Sequence, residues 1–311
     1  MRSVRLLVTG ATGFVGARLM ETLARQPNLE VTGLARHAPP SGFTPYGVRW
    51  LQADVLDEAV MPAVLREVRP QVLVHAAWYV VHGKFWNAPE NQQWLEASLA
   101  LAAHFYEAGG RRVVGLGTCA EYATDGDDAH LPWPEDRPLA PNTPYGIAKT
   151  RLAAGLLEMA ARGQGREAAW ARLFHLFGPG EYPARLVPSV IAALQADQPA
   201  RCGPGHLVRD FASTWFVGRA LAALALGTAT GAVNVASGGP VTIAALAGRI
   251  AALLGRENLL QVGALPGRPG DPARMVANTA RLRHEAGFCE EFDLQTDLRR
   301  LIAADSASSR G

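Results

Sequence analysis

The chain is 311 residues long, with 49% hydrophobic residues and a formal net charge of +2 at pH 7. A chain of this length can bury a large core, in one big domain or in two closely packed ones. The near-neutral charge, without a basic run, gives no support for nucleic-acid binding, and no apolar run reaches the roughly 18 residues that a membrane span needs.

The cysteines and the first residues bear on the compartment of the protein. Cys119, Cys202 and Cys289 are few and widely spaced, which fits neither a disulfide framework nor a zinc site. The chain enters an apolar run almost at once, so we expect no cleavable signal peptide. We therefore expect a cytoplasmic protein with no bound metal, no membrane partner and no nucleic-acid partner.

Short apolar strands alternate with helical segments in the first half of the chain. The strands are continuously apolar rather than alternating, which indicates a parallel sheet covered by helices on both faces. Sheets of this kind bind ligands at the carboxyl ends of their strands. The pattern predicts strands at 4–9, 30–34, 48–51, 72–77 and 112–116, and helices at 57–68, 90–108 and 145–162.

A glycine motif directly follows the first strand. Gly10, Gly13 and Gly16 are each three residues apart, and a helical pattern begins after them. Strand, glycine turn and helix start together form the context of a phosphate cradle, because glycine lets the backbone approach a pyrophosphate and the helix dipole favours the anion. The alternative is a tight turn that only packs the helix on the strand.

The second half of the chain has shorter elements and more proline and glycine. Helical patterns lie at 184–196, 216–226 and 243–254, with strand candidates near 168–172 and 232–235. We predict a doubly wound α/β fold, with a dinucleotide-binding Rossmann domain at 1–165 and a smaller substrate-binding lobe at 166–311. The boundary is approximate, some segments of the lobe can return to the first domain, and the tail from residue 304 is expected to fray.

Three polar side chains carry the predicted chemistry. Tyr145 and Lys149 are four residues apart at a helix start, which places both on one face. An ammonium beside a phenol favours the phenolate and lowers its pKa. Thr118 follows the strand at 112–116, where its hydroxyl can bond a substrate oxygen. The alternatives are a surface pair on an ordinary helix and a threonine that caps a turn.

These motifs together resemble the extended short-chain dehydrogenase/reductases of the NAD-dependent epimerase/dehydratase family. The resemblance covers nearly the whole chain and includes Thr118 four residues before Tyr122. Further landmarks are the segments 172–180, 209–211 and 234–238. The resemblance implies a nucleotide-sugar enzyme in which Tyr145 is the general acid/base, Lys149 binds the nicotinamide ribose, and Thr118 orients the reacting oxygen.

The resemblance also implies residues that contact the ligands. Arg209 is the implied contact to the diphosphate, since a guanidinium group can make two parallel charge-assisted bonds. The alternative for Arg209 is an ordinary ion pair. The implied substrate-binding residues are His175, Leu186, Val187, Arg209 and Asp271. The implied cofactor-binding residues, besides Lys149 and the three glycines, are Thr12, Phe14, Val15, Arg36, Asp54, Val55, Ala76 and Ala77.

The cofactor prediction depends on the end of the second strand. NAD-selective members place an acid there, which bonds the adenosine ribose hydroxyls. This chain lacks that acid and has Arg36, which can meet a 2′-phosphate. We therefore favour NADP(H) over NAD(H). A solvent-facing arginine without a ligand is the alternative.

The reaction prediction depends on the residues that follow Thr118. The 4,6-dehydratases of the family have Asp and Glu there, whereas this chain has Cys119 and Ala120, so the sequence predicts that dehydratase activity is absent. We favour a 4-ketoreductase of a nucleotide-linked 4-keto-deoxysugar, with a 4-epimerase second. The same motifs also fit an enzyme that acts on a small carbonyl compound, and a non-catalytic NADP-binding sensor. A homodimer through the helices at 90–108 and 145–162 is expected from the resemblance.

Overall fold

A computed structural model describes residues 3–39, 45, 47–125, 130–267 and 270–308. Thirteen strands are found in these ranges: β1 Val4–Thr9, β2 Leu29–Ala35, β3 Arg49–Gln52, β4 Val72–His75, β5 Arg112–Thr118, β6 Glu167–Leu173, β7 His175–Phe177, β8 Ala200–Arg201, β9 Val208–Ser213, β10 Gly231–Val235, β11 Pro240–Thr242, β12 Leu260–Gln261 and β13 Arg274–Met275. Nine α-helices are found in the same ranges: α1 Gly16–Leu23, α2 Met61–Val68, α3 Glu90–Glu107, α4 Pro144–Ala161, α5 Leu186–Gln195, α6 Thr214–Leu226, α7 Ile243–Leu254, α8 Ala280–His284 and α9 Leu294–Ser308.

Seven strands form the central sheet, in the order β10-β6-β5-β4-β1-β2-β3. Every neighbouring pair in it is parallel. The order reverses at β1, which lies between β2 and β4, and this is the switch point at which such sheets bind ligands. The predicted doubly wound α/β fold is confirmed.

The middle of β1 explains why its sequence is continuously apolar. Leu6 and Val8 enter a core that contains α1 and α6. Leu7 points the other way, into a core that contains α2, α3 and α4. All three are fully buried, and each contributes about 1.5–3 kcal/mol by leaving water. Both faces of the sheet are therefore covered by helices.

The second half of the chain contributes to two layers. Strands β6 and β10 belong to the central sheet, and α6 packs on α1, where Gly218 lies against the backbone of Arg18. A sheet edge left at β5 would expose unpaired backbone groups, which these strands cover. Strands β6 and β10, which follow the predicted boundary at residue 165, therefore belong to the central sheet, and the boundary itself stays a prediction.

The remaining elements form a smaller lobe with its own core. Helices α5, α7 and α9 pack together there, beside a small sheet in which β9 pairs with β7, β11 and β13. Leu298 and Leu301 anchor α9 in this core, and the helix extends past residue 304 to Ser308. Residues 309–311 lie outside the described part of the chain. Among the described residues, none of the helices combines the length and the hydropathy of a bilayer-spanning segment.

Candidate active site

The glycine turn lies at the carboxyl end of β1, where the backbone comes very close to its neighbours. Gly10 has a positive φ of 66°, and a Cβ on it would lie 2.7 Å from the backbone nitrogen of Ala77. A Cβ on Gly16 would lie 2.1 Å from the carbonyl oxygen of Gly10. These two glycines are thus required by packing alone. Gly13 is exposed on the crest of the turn, and a Cβ there would meet only the Gly10 oxygen, at 3.1 Å.

The start of α1 fits an anionic ligand. Val15 occupies the N-cap position, no side chain in the described ranges caps this helix end, and its first turn holds no acid. The first N–H groups of a helix need an acceptor, and the positive end of the helix dipole favours a negative one. Thr12 and Phe14 are half-buried beside the exposed Gly13. The turn therefore fits a pyrophosphate as well as packing α1 on β1.

The other predicted cofactor residues lie along the same edge of the sheet. Ala76 and Ala77 follow β4 and contact Gly10. Arg36 follows β2 and is exposed, and its carbonyl accepts a bond of 3.1 Å from the Gln52 side chain. Beyond β3, the Asp54 carboxylate accepts the backbone N–H of Leu56 at 3.0 Å, and Val55 is buried.

Helix α4 brings the predicted catalytic side chains to this edge. The Thr143 hydroxyl caps the helix by accepting the N–H of Gly146 at 3.1 Å. One turn later the Lys149 ammonium donates to the Leu116 carbonyl of β5 at 3.0 Å. Its Nζ lies 6.0 Å from the centroid of the Tyr145 ring. The Thr118 hydroxyl, at the end of β5, is near enough to the Tyr145 phenol to lower its pKa, against the larger effect of burial. The three residues therefore share one side of the sheet.

Burial dominates the electrostatics of these groups. It raises the pKa of Tyr145 well above the ordinary value, with further increases from Glu121 and Cys119. Burial also lowers the pKa of Lys149 to about 7, while Glu121 acts in the opposite direction. The lowered phenol pKa that we expected from the Tyr-x-x-x-Lys spacing is therefore not found. Tyr145 holds its proton at neutral pH.

Glu121 is a functional residue that the sequence analysis missed. Its carboxylate is fully buried and accepts the backbone N–H of Thr118 at 2.8 Å, closing a capping box. It also accepts the Trp170 indole N–H at 3.0 Å and the Arg172 Nε at 2.8 Å. These bonds hold Thr118 at the end of β5. The spacing of a threonine and a glutamate three residues later was the available signal.

An aromatic wall, made of Phe85 and Trp86, stands against Tyr145. Both rings meet the phenol ring edge-on, with centroid distances of 4.9 and 5.5 Å. Nearby, His82 stacks on Tyr182 at 4.3 Å, which joins the segment after β4 to the segment after β7. Edge-on and offset stacking are the favoured arrangements of aromatic pairs. The wall was missed because the sequence does not show which loop covers α4.

On the lobe side, Arg209 forms an ion pair with Asp271. The pair spans 2.8 Å, and Arg209 is only 3% exposed. The neighbouring Asp210 is instead bound by Ser237, with an N–H···O distance of 3.0 Å, and by further backbone groups. The structure thus joins two predicted substrate residues, and the ion pair given as the alternative for Arg209 is made with Asp271.

The other predicted substrate residues surround this pair. Burial lowers the pKa of His175 to about 3, and Arg209 and Arg185 act in the same direction. Leu186 is half-buried at the first position of α5, whereas the Val187 side chain is 1% exposed and packs in the core of the lobe. Arg185 precedes this helix, and its charge also acts on Tyr145. The lobe therefore presents cationic groups to the catalytic edge.

A buried acid lies beside Arg185. Glu181 pairs with it at 3.3 Å, and the side chain of Glu181 is 4% exposed. Burial raises the pKa of Glu181 to about 8, which Arg185 partly opposes. No group of three His, Cys, Asp or Glu side chains arranged for a metal ion is found within the ranges that the structure describes.

A family model described as the NAD dependent epimerase/dehydratase family matches residues 6–236. The chain belongs to this family. It is 29% identical to a dTDP-glucose 4,6-dehydratase of Streptomyces niveus, over 92% of this chain and 88% of that protein. It is 24% identical to a UDP-glucose 4-epimerase of Azospirillum brasilense, over 94% and 88% of the two chains.

Solved structures of family members share this fold. The UDP-N-acetylglucosamine 4-epimerase of Methanobrevibacter ruminantium M1, solved with UDP-N-acetylmuramic acid, superposes with a TM-score of 0.87 at 22% identity. The match covers 99% of this chain and 100% of that one. The shared fold thus includes the lobe, beyond the residues that the family model matches.

The prediction that dehydratase activity is absent is wrong. Several curated relatives, including the Streptomyces niveus protein, carry the name dTDP-glucose 4,6-dehydratase. The prediction depended only on Cys119 and Ala120. The folded site also holds Glu121 behind Thr118 and the buried Glu181, so two positions in the sequence do not account for its acids and bases.

Proposed function

We propose that this family member is a nucleotide-sugar oxidoreductase that reduces the 4-keto group of a nucleotide-linked 4-keto-deoxysugar with NADP(H). The observation that carries the proposal is the meeting of Thr118, Tyr145 and Lys149 at the strand ends that also hold the glycine turn. A phenol that keeps its proton at neutral pH is a general acid, which a ketone reduction requires.

Each side chain of the site has its own role in the proposed reduction. When bound, the nicotinamide supplies the hydride that adds to the keto carbon. Tyr145 gives its proton to the keto oxygen, and the hydroxyl of Thr118, whose backbone N–H is held by Glu121, orients that oxygen. The Lys149 ammonium binds the nicotinamide ribose and stabilises the phenolate that remains after proton transfer.

The lobe supplies the proposed substrate contacts. Arg209 offers a fork to the diphosphate, with Asp271 holding the fork in place. His175, neutral at physiological pH, and the segment at Leu186 and Val187 complete this side of the site. The dTDP- and UDP-sugar enzymes among the relatives support a nucleotide-linked substrate over a small carbonyl compound.

A 4-epimerase is the second candidate, because it needs the same three catalytic residues and relatives carry that name. It would keep its cofactor bound and transfer hydride twice. A cofactor-binding sensor without turnover has no need for Thr118, Tyr145 and Lys149 at one edge of the sheet, which supports a catalytic protein.

We further propose a cytoplasmic homodimer. Cys119, Cys202 and Cys289 are all free, which supports a reducing compartment. Helices α3 and α4 pack side by side, and Ile147 of α4 is 43% exposed, so an apolar face is available to a second copy. A sedimentation mass of one chain at micromolar concentration contradicts the dimer.

The test is a panel of nucleotide-linked sugars and 4-ketosugars, with NADPH consumption followed optically and products identified by NMR. One NADPH oxidised per sugar supports the reductase. Interconversion of two sugars without net loss of NADPH supports the epimerase, and loss of water from a nucleotide-linked hexose would reveal a dehydratase. Tyr145→Phe is the control, because it keeps the ring and removes the proton donor.

A further inference from the structure

The Lys149 ammonium lies among three aromatic rings, which we call the lysine cage: Trp78, Tyr145 and Trp170. Its Nζ is 3.7 Å from the Trp78 ring centroid, 5.9 Å from that of Trp170 and 6.0 Å from that of Tyr145. A cation within about 6 Å of a ring face is attracted by it, and tryptophan gives the strongest attraction. Trp78 therefore makes the closest of the three contacts.

A polar anchor fixes the Trp78 ring in this position. The indole N–H donates to the Asn91 Oδ1 at 2.9 Å. Asn91 is 2% exposed, and its amide donates to the carbonyls of Phe85 and Ala88 at 2.7 and 2.9 Å. Both ends of the Asn91 side chain are thus bonded, and a turn of the Trp78 ring would break the indole bond to the buried Asn91.

Within the described part of the chain, the charged and titratable groups around Lys149 leave it without a free anion. On β4, burial and Lys149 lower the pKa of His75 to about 3, so His75 is neutral at physiological pH. On α4, Tyr145 keeps its proton. Beyond β5, Glu121 acts on Lys149 but its carboxylate is bound by Arg172 at 2.8 Å. The remaining partners of the ammonium are the Leu116 carbonyl and the ring faces.

We propose that Trp78 is a positioning residue whose ring face keeps the buried Lys149 ammonium charged and directed at the Leu116 carbonyl. The proposal rests on the function proposed above for Lys149. A charged Lys149 stabilises the phenolate that Tyr145 becomes, whereas a neutral amine does not. Burial, partly opposed by Glu121, brings the pKa of Lys149 to about 7, where a further attraction from a ring face changes the charged fraction at neutral pH.

The sequence allows a direct measurement, because it contains only two lysines, Lys84 and Lys149. Protein labelled with ¹³C,¹⁵N-lysine gives two side-chain signals, and Lys84→Arg assigns them. We expect Trp78→Leu to lower the pKa of Lys149 by about one unit, because the ring is lost while an apolar cover remains. Trp78→Phe keeps a ring face, so a smaller shift is expected. An unchanged or higher pKa in Trp78→Leu overturns the proposal.

A control and a second measurement separate the cage from general packing. Trp94→Phe removes an indole whose ring centroid lies 6.1 Å from that of Trp78 but which is not part of the lysine cage. We expect the pKa of Lys149 to be unchanged in this variant. If Trp78→Leu does not fold, fluorinated tryptophan keeps the shape and weakens the ring face. Incorporation of fluorinated tryptophan must lower the pKa of Lys149 in the wild type, and it must lower it less in Trp78→Phe. An equal decrease in both proteins overturns the proposal.

The titration is independent of turnover, so it can fail while the proposed reductase stands, and the reverse also holds. With an active substrate in hand, the pH profile of kcat gives a further readout. The limb that reports the neutral form of Lys149 should move to lower pH in Trp78→Leu, and Trp78→Phe should restore part of the shift. A lower kcat with an unmoved profile would indicate a merely structural role.

Discussion

The cofactor edge and the substrate lobe build their parts of the site by different means. At the cofactor edge the glycine turn presents backbone rather than side chains. The backbone packs so closely around Gly10 and Gly16 that neither position has room for a Cβ. In the lobe the surface consists of paired charges, Arg209 with Asp271 and Arg185 with Glu181. The first arrangement depends on shape, and it tolerates no added atom at Gly10 or Gly16. The second depends on charge and can be tuned by pH and by single substitutions.

The largest effect is expected from Gly16→Ala. The added Cβ would lie 2.1 Å from the Gly10 oxygen, which is backbone and cannot step aside. Overpacking of this kind costs about 3 kcal/mol or more, so α1 must shift on β1. We expect a lower melting temperature and loss of dinucleotide binding, measured by thermal unfolding and calorimetric titration.

Gly13→Ala is the matched control for that variant. Its Cβ would lie 3.1 Å from the same oxygen and otherwise face solvent, so stability should change little. If Gly13→Ala weakens dinucleotide binding at unchanged stability, the crest of the turn contacts the ligand. Equal destabilisation by both alanines would contradict the division between packing and binding glycines.

The sequence carries the elements of the cofactor edge as local signals. Gly10, Gly13 and Gly16 lie within one turn, and Tyr145 and Lys149 share one face of one helix. The rest depends on which distant segments meet. Nothing near Thr118 in the chain shows that Trp170 and Arg172 hold Glu121, and nothing near Lys149 shows that Trp78 covers it.

The prediction of a lowered pKa for Tyr145 was wrong for a related physical reason. That prediction considered the neighbour of Tyr145 along its helix but not the burial of both groups. Desolvation acts against the charged form of each group, and it is the largest cause of both pKa shifts. Similarly, the partner of Arg209 is Asp271 from a distant loop and not the adjacent Asp210.

In the lobe, Arg209→Ala should give the next largest effect. If Arg209 binds the diphosphate, its loss removes charge-assisted bonds of about 1.5–3 kcal/mol, which corresponds to about a 10- to 100-fold higher KM for the nucleotide sugar. Asp271→Asn keeps a partner for the fork and should raise KM much less. A change in melting temperature with an unchanged KM would make the Arg209–Asp271 pair purely structural.

The Glu181 carboxyl predicts a pH dependence of stability. Its folded pKa of about 8 lies above the ordinary value of 4.5, so the folded state binds the proton more tightly than the unfolded state does. Between these two values the folded chain carries more protons, and its stability therefore falls as the pH rises from about 5 to 8. Glu181→Gln stays neutral and should lose this part of the slope.

Urea unfolding at several pH values, for the wild type and Glu181→Gln, measures that difference. The two proteins should be similar in stability near pH 5, and the variant should be the more stable above pH 8. Glu158→Gln, which changes an exposed glutamate paired with Arg162, serves as the control and should leave the slope in place. Parallel curves for the wild type and Glu181→Gln would show that Glu181 titrates normally.

The smallest effect concerns Arg36, the side chain proposed to select NADP(H) at the cofactor edge. Arg36 is exposed after β2, where an arginine can bind a 2′-phosphate but remains partly screened by solvent. Arg36→Ala should weaken NADPH binding by about tenfold, near 1.4 kcal/mol, and leave NADH binding unchanged. The ratio of the two Kd values is the measurement, and Arg25→Ala, another exposed arginine, is the control. An unchanged ratio in Arg36→Ala would mean that Arg36 does not select the cofactor, and that the edge discriminates by shape alone.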